Sequence, residues 1–132
     1  MQVNTGTGCH LDAEMVSRAV SELKPVPGAA VLIENVGNLV CPALFDLGER
    51  AKVVMFSVTE GGINHSKYPH IFCVATIVRL SKLDLLPHLD FSTAEALANI
   101  RDVNPNAKIL QLSALRGEGI TDWYDWLRAQ LA

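Results

Sequence analysis

At 132 residues the chain has the length of one domain, enough to bury roughly two-thirds of its unfolded surface. It carries 11 Lys and Arg against 14 Asp and Glu, a net charge of −3, and the basic residues are scattered, which argues against a nucleic-acid-binding surface. Hydrophobic residues make up 49%, which argues against disorder, yet no apolar run approaches the roughly 20 residues of a membrane span.

In chain order, Met1 to Asn4 is too short to stand as a strand but has the length of the tail of one, and Thr5-Gly-Thr-Gly-Cys-His10 reads as a loop. Leu11, Met15, Val16, Ala19, Val20 and Leu23 recur at helical spacing, and Pro25 marks the stop. Pro27-Gly28 is a turn, and Ala29 to Glu34 is predicted as the first clear strand. Pro42 to Gly48 is a loop with room for one helical turn. Lys52 to Val58 reads as a second buried strand, Thr59 to Lys67 as a surface loop and Pro69 to Val74 as a short helix. Thr76 to Leu80 is a third strand. Ser92 and Glu95 form a capping box ahead of Leu97, Ile100 and Val103, and Asn104-Pro-Asn106 ends that helix. Lys108 to Leu112 is a fourth strand, and the last helix carries Trp123, Trp126, Leu127 and Leu131 on one side. No repeat, linker or low-complexity segment breaks the chain, so residues 1–132 read as a single unit. Strands alternating with helices indicate an α/β fold with a mostly parallel sheet and flanking helices.

In such sheets ligands bind beyond the carboxyl ends of the strands. Glu34, Asp84 and Ser113 each follow a predicted strand, so they are expected to share one rim. Within Val31-Leu-Ile-Glu-Asn-Val-Gly-Asn-Leu-Val-Cys41 an apolar run ends in an acid, and Gly37 lets backbone approach a ligand closely. Cys9-His10 and Cys41 supply three N and S donors, a set that suits zinc or nickel. Together these places suggest a phosphate ligand coupled to a metal. Read without its flanking residues, Cys9-His10 is also an ordinary loop pair. Cysteines number three, and no export signal follows Met1-Gln-Val-Asn4, so a reducing cytoplasm with free or metal-bound thiols is expected. Cys73, among apolar neighbours, is expected in the core. His65, His70 and His88 read as surface or structural residues, and Trp123 and Trp126 as packing.

Ser81-Lys-Leu-Asp84 after a strand resembles the guanine-reading motif of GTPases, usually Asn/Thr-Lys-x-Asp. A carboxylate there accepts two hydrogen bonds from guanine, a pair that adenine cannot supply, and the Lys82 stem can lie over the base. Ser113-Ala-Leu115 resembles the second guanine-contacting motif, and Glu34-Asn-Val-Gly37 the acid-x-x-Gly motif near magnesium and the last phosphate. Longer strings sharpen the likeness: Asn4-Thr-Gly-Thr-Gly-Cys-His-Leu-Asp-Ala13, Ile33-Glu-Asn-Val-Gly-Asn-Leu-Val-Cys-Pro42, Ser57-Val-Thr-Glu-Gly61, Lys67-Tyr-Pro69 and Leu83-Asp-Leu-Leu-Pro-His88. With them the chain resembles the hydrogenase nickel-incorporation GTPases of the HypB type over nearly its whole length.

That resemblance implies a P-loop GTPase-like fold of the SIMIBI type. It implies a cytoplasmic homodimer that binds nickel or zinc at its interface, uses GTP or GDP with magnesium, and works with hydrogenase-maturation proteins and the hydrogenase precursor. No nucleic acid or membrane is implied. Carried over by residue, the metal ligands are Cys9, His10 and Cys41. The nucleotide contacts are Glu34, Gly37, Ser81, Lys82, Asp84, Ser113, Ala114 and Leu115.

The departures are specific. No Gly-x-x-x-x-Gly-Lys-Ser/Thr occurs, and the nearest string, Gly62-Ile-Asn-His-Ser-Lys67, lacks the glycine before its Lys. Ser81 stands where the family usually has Asn. The chain is therefore expected to match the carboxyl-terminal two-thirds of the family's domain, without its first strand and P-loop, and without the amino-terminal Cys-rich and His-rich tracts. Most phosphate affinity in these folds comes from the P-loop, so competence in GTP hydrolysis is not expected of this chain by itself. Loss of a central strand also predicts marginal stability and association through an exposed edge. Besides the nickel-delivery GTPase reading stand a non-enzymatic metal-binding or dimerisation module and an inert fragment.

Overall fold

The computed structural model describes residues 1–6, 8, 10–35, 37, 41–61 and 69–131. The expected string Gly62–Lys67, with His65, lies outside them, as does Cys9. Helix α1 spans Ala13–Leu23 and α2 spans Cys41–Leu44, followed by strand β1, Val53–Ser57. A 3-10 turn at Val58–Glu60 precedes α3, Pro69–Val74, and β2, Ile77–Ser81. A second 3-10 segment, Leu83–His88, leads to α4, Thr93–Val103, then β3, Lys108–Gln111, and α5, Ile120–Leu131.

The strands form one parallel sheet in the order β1-β2-β3, with Val53 opposite Ile77 and Ile77 opposite Lys108. Alternation along each strand sends side chains to two cores. On one face Val54, Phe56, Val78 and Leu80 pack with Ile71 and Phe72 of α3 and with Ala96 and Ile100 of α4. On the other, Ile77 and Leu110 meet Trp123 and Trp126 of α5. The two Trp rings stack at 5.3 Å, and the Arg79 guanidinium lies 4.1 Å from the Trp123 ring centre. Trp123 and Trp126 are thus packing residues, as their spacing predicts.

Local chemistry starts and stops the helices where expected. Asp12 Oδ1 accepts from the Met15 amide at 2.8 Å to cap α1, and Ser92 Oγ accepts from the Glu95 amide at 3.2 Å to cap α4. Beyond α4, the Asn104 side-chain amide donates to the carbonyls of Phe72, Cys73 and Ala75 at 2.9, 3.1 and 3.0 Å. It thereby serves the otherwise unpaired carbonyls at the end of α3.

Two expectations are corrected. Ala29 to Glu34 forms no strand, and Val31, Leu32 and Ile33 are 37%, 73% and 38% exposed. The apolar composition is that of a buried strand, but a strand exists only against a neighbour, and β1 does not pair with this run. Cys73 is exposed rather than in the core. The short α3 turns Ile71, Phe72 and Ala75 at its end inward, which leaves Cys73 and Val74 outside. Among the described residues no helix is long and apolar enough to cross a membrane.

Candidate functional site

Two neighbourhoods carry the candidate residues. The first lies past the ends of β2 and β3. Ser81 closes β2, and its hydroxyl donates to the Phe56 carbonyl at 3.1 Å, tying that end to β1. Lys82 then adopts a left-handed backbone, φ 62°, and its side chain is exposed. For a residue with a Cβ this conformation costs about 1–2 kcal/mol, and the turn is held by the bonds around it. The Leu85 amide donates to the Lys82 carbonyl at 2.9 Å and the Leu83 amide to the Leu112 carbonyl at 3.4 Å.

Asp84 follows, half-buried, in the 3-10 segment. The Ser113 hydroxyl donates to Asp84 Oδ1 at 2.5 Å. Ser113 is fully buried, and its Oγ also accepts from the Arg116 amide at 3.2 Å, while its own amide donates to the Glu118 carbonyl at 3.0 Å. Its loop therefore curls back on itself with Ala114 exposed and Leu115 86% exposed at the tip. The loop closes on Gly119, at φ +70°, where a Cβ would come 2.1 Å from the Gln111 carbonyl oxygen. Only glycine fits there.

This arrangement sets a hydrogen-bonded carboxylate just past the ends of β2 and β3. Ser113 orients the carboxylate through one oxygen, and the second oxygen of the same group is a further acceptor. The bond between positions 84 and 113 brings together two of the three groups expected to share a rim. Glu34 does not join them by following a strand end. It is exposed, as is Gly37, and both line an open cleft between residues 31–35 and β1.

The second neighbourhood surrounds His10. Ahead of it, Asn4 Oδ1 accepts from the Gly6 amide at 2.8 Å, and Thr5 Oγ1 donates to the Gly8 carbonyl at 2.9 Å. The Leu11 amide donates to Asn35 Oδ1 at 3.3 Å, which joins the start of the α1 region to the 31–35 run. The His10 ring stacks on Phe45 with centroids 3.9 Å apart and planes 9° from parallel. Phe45 directly follows α2, the helix that Cys41 opens, so the stack brings the segments of His10 and Cys41 side by side. Among the described residues no group of three or more His, Cys, Asp and Glu is positioned to hold a metal, and Cys9 is not among those residues. His70 and His88 are exposed, in keeping with a surface role.

Sequence reading did not anticipate the roles of Asn104, Phe45 and Arg79. Asn104 carried one signal, its place just past a helix end; the other two act through contacts distant in sequence. Burial lowers the pKa of the Arg79 guanidinium from its ordinary value.

No protein-family model matches the chain. It is 56% identical over 132 residues to the hydrogenase maturation factor HypB of Rhizobium leguminosarum bv. viciae, covering all of this chain and 44% of that protein. The crystal structure of the HypB hydrogenase maturation factor from Archaeoglobus fulgidus superposes with a TM-score of 0.89 at 40% identity, over 96% of this chain and 67% of that one. HypB from Helicobacter pylori, solved in complex with nickel, superposes with a TM-score of 0.90 at 34% identity, over 99% of this chain and 63% of that one. The chain thus spans less than half the length of its curated relative and about two-thirds of the solved chains. At these identities, coverages and TM-scores the chain belongs to the HypB family of hydrogenase maturation factors.

Proposed function

We propose that this chain binds nickel, and zinc in its place, in the service of hydrogenase maturation, and that it reads guanine nucleotides at the 84–113 rim. The ligands are Cys9, His10 and Cys41, a thiolate–imidazole–thiolate set that suits either metal. The observation that supports the reading is the His10–Phe45 stack, because it sets His10 beside the residue that follows α2, the helix that Cys41 opens. Two such sets across a homodimer axis would complete the coordination. The nucleotide contacts are Asp84, held by Ser113, with Lys82, Ala114 and Leu115 around the base, Ser81 bracing the turn, and Glu34 and Gly37 toward the phosphates and magnesium. The partners are hydrogenase-maturation proteins and the hydrogenase precursor in the cytoplasm.

A second reading, a metal-binding module without nucleotide turnover, is favoured by one specific observation: the 132 residues contain no Gly-x-x-x-x-Gly-Lys-Ser/Thr. Calorimetry with nickel and with magnesium–GTP separates the two. The expected outcome is nickel binding that falls at least tenfold in Cys9→Ala and Cys41→Ala. Unchanged metal stoichiometry in both variants would remove the ligand assignment. Micromolar GTP binding that is lost in Asp84→Ala supports the guanine site, and absence of GTP binding leaves the metal module.

A further inference from the structure

We propose that Phe45 is the positioning residue for His10: its ring holds the imidazole in one plane and leaves the imidazole edge open to a bound nickel or zinc ion. Phe45 is not itself a ligand, and its role rests on the reading of Cys9, His10 and Cys41 as the metal set.

The stack has the geometry for this. The two ring centres lie 3.9 Å apart and the planes are 9° from parallel. A ring nitrogen binds a metal through a lone pair in the plane of the imidazole, so a partner on the face does not compete with the metal. The last torsion of a His side chain is otherwise broad. Turning the imidazole about that torsion would break the parallel arrangement, so the stack selects one ring plane.

Phe45 is itself held in place. The Lys52 ammonium donates to the Phe45 carbonyl at 3.0 Å and to the Pro42 carbonyl at 3.2 Å, and it pairs with Glu49 at 3.1 Å. The Lys52 and Glu49 side chains are only 21% and 18% exposed, so this is not one of the solvent-dissolved surface pairs that hold nothing. The Lys52 backbone is tied in turn to Thr76: its amide donates to Thr76 Oγ1 at 3.1 Å, and its carbonyl accepts from the Thr76 amide at 2.9 Å. The sheet thus fixes Lys52, Lys52 fixes the backbone of Phe45, and the Phe45 ring fixes His10. Phe45 is 39% exposed and belongs to neither core, so its face serves His10 rather than the packing of the fold.

Loss of a group that orients a metal ligand commonly weakens metal binding about tenfold or more, and a ring stack is a softer restraint than a hydrogen bond, so about fivefold is expected here. The test combines nickel titration by calorimetry with proton NMR of the metal-free 132-residue chain. In the unsubstituted chain the His10 ring protons are expected upfield of their ordinary positions, shielded by the Phe45 ring. Phe45→Leu is expected to abolish that shift and weaken nickel binding about fivefold, whereas Phe45→Tyr keeps both. Leucine supplies apolar bulk without an aromatic face, so a packing role alone would leave nickel affinity unchanged in Phe45→Leu, and that result would overturn the proposal. Equal losses in the Leu and Tyr variants would also overturn it. So would ordinary His10 resonances in the unsubstituted chain, a measurement that stands even where a variant does not fold. Cys9→Ala, titrated alongside, separates the two levels. If it lowers nickel binding and Phe45→Leu does not, only the positioning role falls; if neither does, the metal reading falls and the positioning role with it.

Discussion

From Val53 onward every strand and α-helix places side chains in one of the two cores, whereas before it only Leu11 and Val16 are buried among the described residues. Both regions have the composition for burial. Helix α1 has an apolar stripe, and Val31-Leu-Ile33 is as hydrophobic as Ile77-Val78. The difference is company: β2 lies between two strands and under helices on both faces, while residues 31–34 meet a cleft. Apolar sequence creates a demand for burial, and only a neighbour at the right distance meets it.

The comparison can be tested by substitution, monitored by chemical denaturation. Phe72→Ala, in the shared core of α3 and α4, is expected to cost about 3–5 kcal/mol, from lost transfer energy and the cavity left behind. Ser113→Ala leaves Asp84 without its donor and the Arg116 amide without its acceptor, so it is expected to cost about 1–3 kcal/mol. The same variant should loosen the 114–118 loop, seen as faster amide exchange there. Leu32→Ala, at a side chain 73% exposed, is expected to stay within about 0.5 kcal/mol. A cost at Leu32 comparable with that at Phe72 would mean that the two regions fold as one core, and the contrast drawn above would fail.

Much of the later chain was legible in its sequence. Ser92 and Glu95 announce the start of α4, and Asn104-Pro105 its end. Lys52–Val58 and Lys108–Leu112 each contain a strand of the sheet, trimmed by a residue at one or both ends, and Thr76–Leu80 overlaps β2, which starts and ends one residue later. Pro69–Val74 is a helix with the expected bounds. The errors have one cause. Ala29–Glu34 was read from composition as a strand, and Cys73 from its neighbours in sequence as a core residue. Pairing and facing are relations to other segments, and neither is written in a window of six residues. The candidate site divides in the same way. Asp84 and Ser113 were each visible as motif positions, but the hydrogen bond between them spans 29 residues, and the His10–Phe45 stack joins two loops that no spacing rule connects.

The sequence by itself determined the order of helices and strands from Lys52 onward, the parallel α/β class and the residue types at the candidate sites. Caps, periodicity and turn chemistry act within a few residues, and motif strings need no third dimension. Only the tertiary structure decided which apolar run becomes a strand, which side of α3 faces water, and which oxygen donates to Asp84. Each of those depends on what lies alongside, and a hydrogen bond or a buried face forms only when a partner from a distant part of the chain, or from another polypeptide, is there to complete it.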